Sequence, residues 1–413
     1  MIPVSKASER ILSAIHPLAP ETVATENAAG RVLAAGVVAP LTSPPWDNSS
    51  MDGYAVRSED LSAGAPTLRV VETIAAGSFP SRGIIAGESM RVMTGAPVPD
   101  GADSVIRHED TDDGREVVSI RNLRDARKNI RRTGEDFRAG DVLFPAGEAM
   151  HAPHLGVLAS AGVRTVEAHR RPRIAIISSG DELVELRDFT SDLTDKRIVS
   201  SNSITLPALI REAGGEPIDI GIARDDPVSL KEKLVKAIDA DLIITSAGIS
   251  VGDHDHVRDA FTALGGEIHF WKVRMRPGAP LAFGILDGTP WIGVSGNPVS
   301  AMVSFEVFVR PAIRKMLGYR SLFRETIPVT LRVPITITAP LMHFIRAVIT
   351  RTSDGEYQAE PAGSQSSSVI TAMARANALV ILPGDRLELA AGEAFRALPL
   401  GEALSTTDTL VLT

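Results

Sequence analysis

A short glycine- and serine-rich segment, Gly248-Ile-Ser-Val-Gly252, has the most suggestive spacing for chemistry in the chain. The pattern Gly-x-Ser-x-Gly places a hydrolase nucleophile on a sharp turn between a strand and a helix, which would make Ser250 a nucleophile. In such a turn the helix begins at once, whereas here Asp253-His-Asp-His256 intervenes, and the histidine far downstream, His343, lies in a β-rich tail. A phosphate cradle beside a cation site fits the segment better, and a purely structural turn is the third interpretation.

Two other loops are similarly small and polar. They are Ser178-Ser-Gly-Asp-Glu182 and Ser295-Gly-Asn-Pro-Val-Ser300, and each follows an apolar run typical of a buried strand. In the second loop Asn297 suits a helix N-cap, Pro298 suits the first helical position, and Gly296 allows close approach of the backbone. The sequence therefore predicts free N–H groups at a helix N-terminus, which attract an anion, although a simply well-capped helix explains the pattern equally well.

Charged clusters also occur in a glycine-rich, β-like stretch nearer the N-terminus. Asp52 follows Asn48-Ser-Ser-Met51 at a glycine turn, and Arg131 and Asp136 lie in Asn129-Ile-Arg-Arg-Thr-Gly-Glu-Asp136. By themselves such clusters are most often turns and solvated charges. The alternation of Asp253 and Asp255 with two histidines could suggest a transition metal, but a solvated helix start is the favoured interpretation. The chain contains neither a Walker motif nor a Gly-x-Gly-x-x-Gly fingerprint.

The elements that must position these loops alternate between strand and helix from 172 to 318. Apolar runs predict strands at 174–177, 217–222, 242–244, 267–275, 281–286 and 291–294, with helices beginning at 201, 226, 256 and 298. This order predicts a mostly parallel sheet with helices on both faces. Ligands of such sheets bind beyond the carboxyl ends of the strands, where the three polar loops lie.

The rest of the chain has a different composition and a different hydrophobic pattern. Residues 1–44 begin with a helical pattern, 47–145 are rich in turn residues and short β-like alternations, and 324–413 indicate a small all-β domain. A length of 413 residues suits about three domains. The first ten residues lack a signal-peptide core and no run approaches the roughly 18 apolar residues of a membrane span, so we expect a cytoplasmic protein with no membrane partner.

Composition excludes several classes of function. The 413 residues include no cysteine, which rules out disulfides, a thiolate nucleophile and zinc–thiolate clusters. A net charge of −8 and 4% aromatic residues argue against a general nucleic-acid binder, which needs a broad basic face and stacking platforms. An anionic ligand still fits wherever basic residues cluster locally.

Several motifs taken together closely resemble the MoeA family, which includes the E domain of gephyrin. They cover essentially the full chain in the family's order: Met51-Asp-Gly-Tyr-Ala55, Met93-Thr-Gly-Ala-Pro-Val-Pro99 with Gly101-Ala-Asp103, Asn129–Asp136, Ser179-Gly-Asp-Glu-Leu183, Ser246–Asp253, Arg276-Pro-Gly278 and Gly296-Asn-Pro-Val-Ser-Ala301. The resemblance implies insertion of molybdenum from molybdate into adenylylated molybdopterin with release of AMP, assisted by Mg²⁺. A molybdopterin adenylyltransferase is the substrate donor that it implies.

The resemblance also implies a multidomain α/β plus β fold and an elongated homodimer in which one subunit's inserted domain completes the cleft of the other. We expect an elongated N-terminal domain at 1–46 and 140–171, an inserted β-rich domain at 47–139, a MogA-like Rossmann-type α/β domain at 172–320 that binds molybdopterin, and a C-terminal β-barrel-like domain at 324–413.

Functional residues follow from the same motifs. The resemblance implies catalytic roles for Asp52, Arg131, Asp136, Glu182 and Asp253, and a cation site formed by Glu182, Asp253 and Asp255. The implied substrate-binding residues are Ser246, Gly248, Ser250, Gly252, Arg276, Gly278, Gly296, Asn297, Pro298, Ser300, Arg346 and Ser367, the last two matching segments of the molybdate pocket.

The chain departs from the family pattern at three positions. The family usually reads Arg/Lys-Pro-Gly-Lys-Pro, but Ala279 replaces the second cation, and we hypothesise that Arg274 supplies the missing charge because period-two alternation aligns it with Arg276. Ala247 replaces the first glycine of a usual pair and is strained if its φ is positive. Ser295 replaces a proline. These changes keep open a catalytically impaired paralogue that acts as a pterin-binding or scaffold protein, and a hydrolase that uses Ser250 is the third alternative.

Overall fold

The structure is a computed structural model that describes residues 1–62, 64, 66–190, 196–247 and 256–401. The chain divides into two compact units. The first comprises Met1–Glu21, Gly30–Ala34 and Ala168–Thr413, and the second comprises Thr22–Ala29 and Ala35–Glu167. The four-domain division inferred from the sequence stays a prediction.

The second unit is β-rich, as the turn-rich texture of 47–145 indicated. Its main sheet has the strand order Ser104–Arg107, Gly53–Val56, Glu88–Val92, Thr67–Ile74 and Val117–Ser119. Tyr54 and Val56 pack into one apolar cluster and Ala55 into another, since side chains alternate between the two faces of a strand. The strand Gly53–Val56 is therefore buried on both of its faces. The other strands are Val37–Val38, Asn48–Ser49, Ile130–Arg131 and Val142–Phe144; the helix is Ala152–Ser160, and single 3₁₀ turns lie at Thr25–Asn27, Ser58–Leu61 and His108–Asp110.

A mixed sheet forms the centre of the first unit. In the described part of the chain its strand order is Glu216–Ala223, Arg173–Ser179, Leu242–Ser246, Thr289–Val294, Pro280–Leu286 and Glu267–Lys272. The first four strands are parallel, and Pro280–Leu286 runs antiparallel to both of its neighbours, Thr289–Val294 and Glu267–Lys272, which confirms the predicted mostly parallel sheet. Leu242–Ser246 is buried along its whole length, as expected of a strand covered by helices on both faces.

The helices begin where the sequence signals predicted. Asp226 caps Pro227–Ala237 by accepting hydrogen bonds from the backbone N–H groups of Val228 and Ser229 at 2.9 and 2.8 Å. Pro298 opens a long helix that continues through one π-helical stretch to Met316. The α-helices of this unit are Val4–Ser13, Asn202–Glu212, Pro227–Ala237, His256–Ala263, Pro298–Ser304, Arg310–Met316 and Ile370–Arg375, with the π-helix at Phe305–Val309 and a 3₁₀ turn at Leu186–Asp188. Within the described residues, no helix has the length and apolarity needed to cross a membrane.

The C-terminal region closes into a β-barrel, which confirms the expected barrel-like domain. The strands follow one another around it in the order Met342–Arg351, Tyr357–Pro361, Ile327–Leu331, Ala394–Pro399 and Ala378–Leu382, and the last pairs again with the first. Val329, Ile345 and Val380 lie in its core. The short strand Met275–Arg276 adds to the barrel by pairing in parallel with Met342 and His343. The remaining strands are Pro20–Ala24, which pairs with Thr165–His169, Leu183–Val184 with Ile198–Val199, and Ile335–Thr336 with Glu388–Leu389.

Candidate functional site

Three parallel strands of the mixed sheet end side by side. Ser178 is the register partner of Ser246, and Ser246 is the partner of Val294, so the loops that follow them leave the sheet at one edge. A cavity of about 640 Å³ opens there, which we call the serine cavity. It is lined by Ser179, Glu182, Leu183, Ile198, Val199, Ser200, Ser201, Asn202, Ser246, Ala247, Pro280, Ser295, Gly296, Asn297, Pro298, Ser368 and Ile370. The predicted position of a ligand crevice at the strand ends thus coincides with a cavity.

A second cavity, of about 630 Å³, lies against the barrel, and we call it the arginine cavity. Its lining includes six of the predicted substrate-binding residues: Arg276, Gly278, Asn297, Ser300, Arg346 and Ser367. The other lining residues are Met275, Pro277, Ala279, Pro280, Ser295, Ile335, Thr336, Ile337, Thr338, Leu341, His343, Phe344, Ile345, Gln365 and Ser366. Pro280, Ser295 and Asn297 line both cavities, so two ligands bound in them would meet at this common wall.

Arg346 is the most unusual residue of the arginine cavity. Its side chain is buried, with 1% of the residue exposed, and burial lowers the pKa of its guanidinium. The guanidinium donates to the carbonyl oxygens of Ser364 and Ser366 at 3.0 and 3.1 Å, while its Nε has no hydrogen-bond partner. The described residues provide no carboxylate in salt-bridge contact with it. A buried cation without an anionic partner is costly, and an anionic ligand is the group that would balance it.

The segment 274–279 provides the other charge of this cavity. Gly278 has φ +96°, and a Cβ there would lie 2.6 Å from the Ser304 Oγ, so only glycine fits. Arg276 is exposed and lines the cavity with Ala279. Arg274, the residue we proposed as the replacement cation, donates a 3.3 Å hydrogen bond to the carbonyl oxygen of Pro340, and the cavity lining seen in the described residues does not include it.

The loop before the long helix has the geometry of an open helix end. Asn297 occupies the N-cap position, but its side chain makes no capping hydrogen bond. Ser295 Oγ instead accepts from the Asn297 N–H at 3.3 Å, and Ser300 in the first turn is buried against the arginine cavity. The helix start is therefore not closed by its own cap, which favours the anion interpretation over a simply well-capped helix.

Ala247 has a positive φ, which is the condition under which we expected this alanine to be strained. Its φ is +80°, in the left-handed region where a Cβ is unfavourable by roughly 1–2 kcal/mol. Its backbone N–H donates to the carbonyl oxygen of Val294 at 3.1 Å, which ties the loop to the neighbouring strand. The side chain faces Gly296, where an added Cβ would lie only 2.9 Å from that of Ala247.

Part of the predicted cation site lies outside the described residues. Gly248, Ser250, Gly252, Asp253 and Asp255 all fall there, so the choice between phosphate cradle, turn and nucleophile for Ser250 stays a prediction. Glu182 is described, is exposed and lines the serine cavity. Its carboxylate lies close over Gly180, where a Cβ would be 2.6 Å from Oε2. Among the described side chains no group of three or more metal-ligating residues is present.

Asp52, Arg131 and Asp136 belong to the second unit. Asp52 Oδ1 accepts hydrogen bonds from the Thr94 N–H and hydroxyl at 2.6 and 2.9 Å, and these donors lower the pKa of the carboxyl. Arg131 ends the short strand paired with Asn48–Ser49, and Asp136 follows two residues after a turn at Gly134. Both side chains are exposed, which suits residues that act on a ligand or a partner.

Sequence reasoning missed Asn202 and gave His343 no role at the site. Asn202 begins a helix and donates to the Ser246 Oγ at 2.5 Å and to the Gly296 carbonyl oxygen at 2.9 Å. His343, which is 6% exposed, lines the arginine cavity as the strand partner of Arg276. The partners of Asn202 lie 44 and 94 residues away in sequence, so no local pattern reveals them.

Comparison with known proteins agrees with this architecture. Residues 2–162 match the MoeA N-terminal region (domain I and II), 175–315 a probable molybdopterin binding domain, and 328–400 the MoeA C-terminal region (domain IV). The chain is 39% identical over 386 residues to molybdopterin molybdenumtransferase 2 of Mycobacterium tuberculosis strain H37Rv, covering 90% of this chain and 93% of that protein. It is 35% identical over 400 residues to the molybdopterin molybdenumtransferase of Staphylococcus aureus strain COL, covering 95% and 94%. A crystal structure of the molybdopterin biosynthesis MoeA protein from Pyrococcus horikoshii OT3 superposes with a TM-score of 0.80 at 27% identity, covering 97% of this chain and all of that one.

Proposed function

The chain belongs to the MoeA family, and from that membership we propose that it is a molybdopterin molybdenumtransferase, which inserts molybdenum from molybdate into adenylylated molybdopterin and releases AMP. The observation that carries the proposal is Arg346, a buried guanidinium without a carboxylate partner among the described residues, in the wall of a cavity that adjoins a second one. Two adjoining cavities allow an enzyme to hold two anionic substrates side by side, each with its own hydrogen-bond donors and positive charges.

Molybdate fits the arginine cavity. The anion is tetrahedral and doubly negative near neutral pH, so it needs cations and hydrogen-bond donors from several directions. Arg276 and Arg346 supply positive charge, and the hydroxyls of Ser300 and Ser367 supply donors. The open start of the helix at Pro298 adds backbone N–H groups and the positive end of a helix dipole.

Adenylylated molybdopterin fits the serine cavity. Its lining is rich in hydroxyl and backbone N–H groups of the kind that hold phosphate oxygens, including the Ser246 hydroxyl and the Gly296 N–H at the ends of two strands. Binding there brings the substrate to the common wall at Ser295 and Asn297, beyond which molybdate is held. Proximity and charge compensation then account for the catalysis, and no covalent enzyme nucleophile is required.

Mg²⁺ is part of the same proposal. Glu182 offers carboxylate oxygens in the serine cavity, and Mg²⁺ is commonly held by one or two carboxylates together with substrate phosphate oxygens. When bound, the ion offsets negative charge at the phosphate that is cleaved. We assign Asp253 and Asp255 to the same cation group as a prediction from sequence.

We also propose that the enzyme is a homodimer in which Asp52, Arg131 and Asp136 of one subunit act at the site of the other. Two variants test this directly when AMP release is measured at a molybdate concentration well below the half-maximal value of Arg346→Lys, where each variant alone has little activity. Mixing Asp52→Asn protein with Arg346→Lys protein, after mild dissociation and reassociation, should restore up to about a quarter of the sites, because a heterodimer then contains one site with both native residues. Absence of any recovery in a mixture that forms heterodimers would refute the shared site.

The insertase activity is tested with purified protein, adenylylated molybdopterin, Mg²⁺ and molybdate. AMP release that depends on molybdate is expected, and it should be lost on chelation of the divalent cation. Tight binding of the substrate without AMP release would instead support the impaired paralogue. The insertase is favoured over that alternative because this chain aligns with more than nine-tenths of the length of two relatives that are named molybdopterin molybdenumtransferases.

Delivery of substrate by a molybdopterin adenylyltransferase and a cytoplasmic location complete the proposal. The donor's product is the substrate assigned to the serine cavity, so direct transfer between the two proteins would avoid its release into water. A pull-down with the adenylyltransferase, followed by cell fractionation, tests both points. Failure of the two proteins to associate would limit the proposal to free diffusion of the substrate.

A further inference from the structure

Asn202 joins two loops of the serine cavity through one carboxamide. Its Nδ2 donates to the Ser246 Oγ at 2.5 Å and to the Gly296 carbonyl oxygen at 2.9 Å. The residue is 5% exposed and lines the cavity at the start of the helix Asn202–Glu212. The end of the strand Leu242–Ser246 and the loop that follows the neighbouring strand Thr289–Val294 are thus fixed to the same side chain.

The orientation of this amide is settled by its neighbours. The Gly296 carbonyl oxygen can only accept a hydrogen bond, so the amide nitrogen, and not the oxygen, must face it. The Asn202 Oδ1 is buried and has no hydrogen-bond partner in the part of the chain that the structure describes. An unpaired buried acceptor costs roughly 1–3 kcal/mol, and the two hydrogen bonds donated by the amide nitrogen offset that cost.

The amide in turn fixes the polarity of the Ser246 hydroxyl. A hydroxyl group carries one proton and two lone pairs, and here one lone pair is occupied by the Asn202 Nδ2 donor. The hydroxyl proton must then point elsewhere. No described side chain accepts it, and Ser246 lines the cavity that we assign to a phosphate-bearing substrate.

We propose that Asn202 is a positioning residue that holds the Ser246 hydroxyl as a hydrogen-bond donor to an anionic oxygen of the substrate. This inference rests on the proposed function, since that function supplies the anion. It goes further by assigning a role to Asn202, which acts on the substrate through the Ser246 hydroxyl. An aspartate at the same position, similar in shape, would accept the Ser246 proton and reverse the hydroxyl.

A double-mutant cycle on adenylylated molybdopterin binding tests the coupling. Ser246→Ala and Asn202→Ala should each weaken binding about tenfold, as expected for the loss of a hydrogen bond to a charged group. If Asn202 acts through the hydroxyl, the double variant binds within about threefold of the single variants. Independent effects that multiply to about a hundredfold would show that Asn202 is merely structural and overturn the proposal.

The pH profile of Asn202→Asp, measured in the native and in the Ser246→Ala background, provides a further readout: direct repulsion between the new carboxylate and the substrate acts in both backgrounds, whereas reversal of the hydroxyl acts only in the native one. Above the pKa of the new carboxyl, the variant should bind the substrate at least as weakly as Asn202→Ala. As the pH falls and the carboxyl is protonated, it again carries a donor, and its affinity relative to the native protein should recover. A ratio of affinities independent of pH would count against the polarity argument.

Thr205→Val is the matched control on the same helix. The Thr205 hydroxyl is buried without a hydrogen-bond partner and does not line the cavity, so its removal should leave substrate affinity unchanged. Thermal melting of every variant establishes that each is folded. Failure of the native protein to bind the substrate would refute the proposed function itself, whereas native binding with multiplicative losses would refute only the role of Asn202.

Discussion

Ala247 and Gly296 face each other at the ends of neighbouring strands, with no space for a second side chain between them. A Cβ built on Gly296 would lie 2.9 Å from the Ala247 Cβ, closer than two non-bonded carbon atoms normally approach. Ala247 itself has φ +80°. A strained alanine therefore fills space beside a loop that the proposed substrate approaches.

This relationship predicts a rescue between two substitutions. Gly296→Ala should destabilise the protein by about 1–3 kcal/mol, because the new methyl group clashes with Ala247. Ala247→Gly removes both the opposing Cβ and the unfavourable positive φ, so the double variant should recover most of that loss. Denaturant unfolding of the four proteins measures the coupling, and additive effects would show that the two residues do not oppose each other.

The loops around Ala247 and Gly296 show how much of the site the sequence could predict. Asparagine and proline at 297 and 298 predicted a helix start, and the alternation of apolar runs predicted the order of strands, because both signals are local. The family pattern indicated that Ala247 occupies a position suited to glycine. Its positive φ could not be read from the sequence, because it accompanies a hydrogen bond from the Ala247 N–H to the Val294 carbonyl oxygen, 47 residues away. The Asn202 bridge and the burial of Arg346 depend on contacts between distant segments, which no periodicity encodes.

Arg346→Lys should impair the use of molybdate more than the binding of the pterin substrate. Lysine keeps the charge but cannot reproduce the planar guanidinium that bonds Ser364 and Ser366 while facing the cavity. We expect the molybdate concentration for half-maximal AMP release to rise roughly ten- to a hundredfold. Arg351→Lys, at the exposed end of the same strand, is the matched control and should behave as the native protein.

His343 should make stability depend on pH. Burial of the ring lowers the pKa of His343 below its usual value, and the neighbouring Arg276 lowers it further, whereas the hydrogen bond with the Ala339 carbonyl opposes the shift. The unfolded chain then binds a proton at His343 more readily than the folded one, so protonation favours unfolding. The full free energy of unfolding is present above about pH 6.5, and the contribution of His343 is lost as the pH falls through the pKa of the folded state.

The measurement is the free energy of unfolding between pH 5 and 8 for the native protein and for His343→Gln. The native protein should lose more stability on acidification than the variant does. Bound molybdate, a dianion beside the ring, should raise the pKa of His343 and reduce that difference. Equal pH slopes in the two proteins would show that His343 does not titrate differently on folding.

Alanine stands at position 279, where the family pattern has lysine, so we expect this chain to bind molybdate more weakly than a protein with that lysine. Ala279 lines the arginine cavity, so Ala279→Lys adds a cation there and should tighten molybdate binding roughly ten- to a hundredfold. If Arg274 supplies the missing charge in the native protein, Arg274→Ala should weaken molybdate binding there. The same substitution should have little effect in the Ala279→Lys variant. Because the Arg274 guanidinium bonds the Pro340 carbonyl, this role requires it to turn towards the cavity when the anion binds. Titration of molybdate into the four proteins decides the matter: unchanged affinity in Arg274→Ala would mean that Arg276 and Arg346 alone provide the charge of the site.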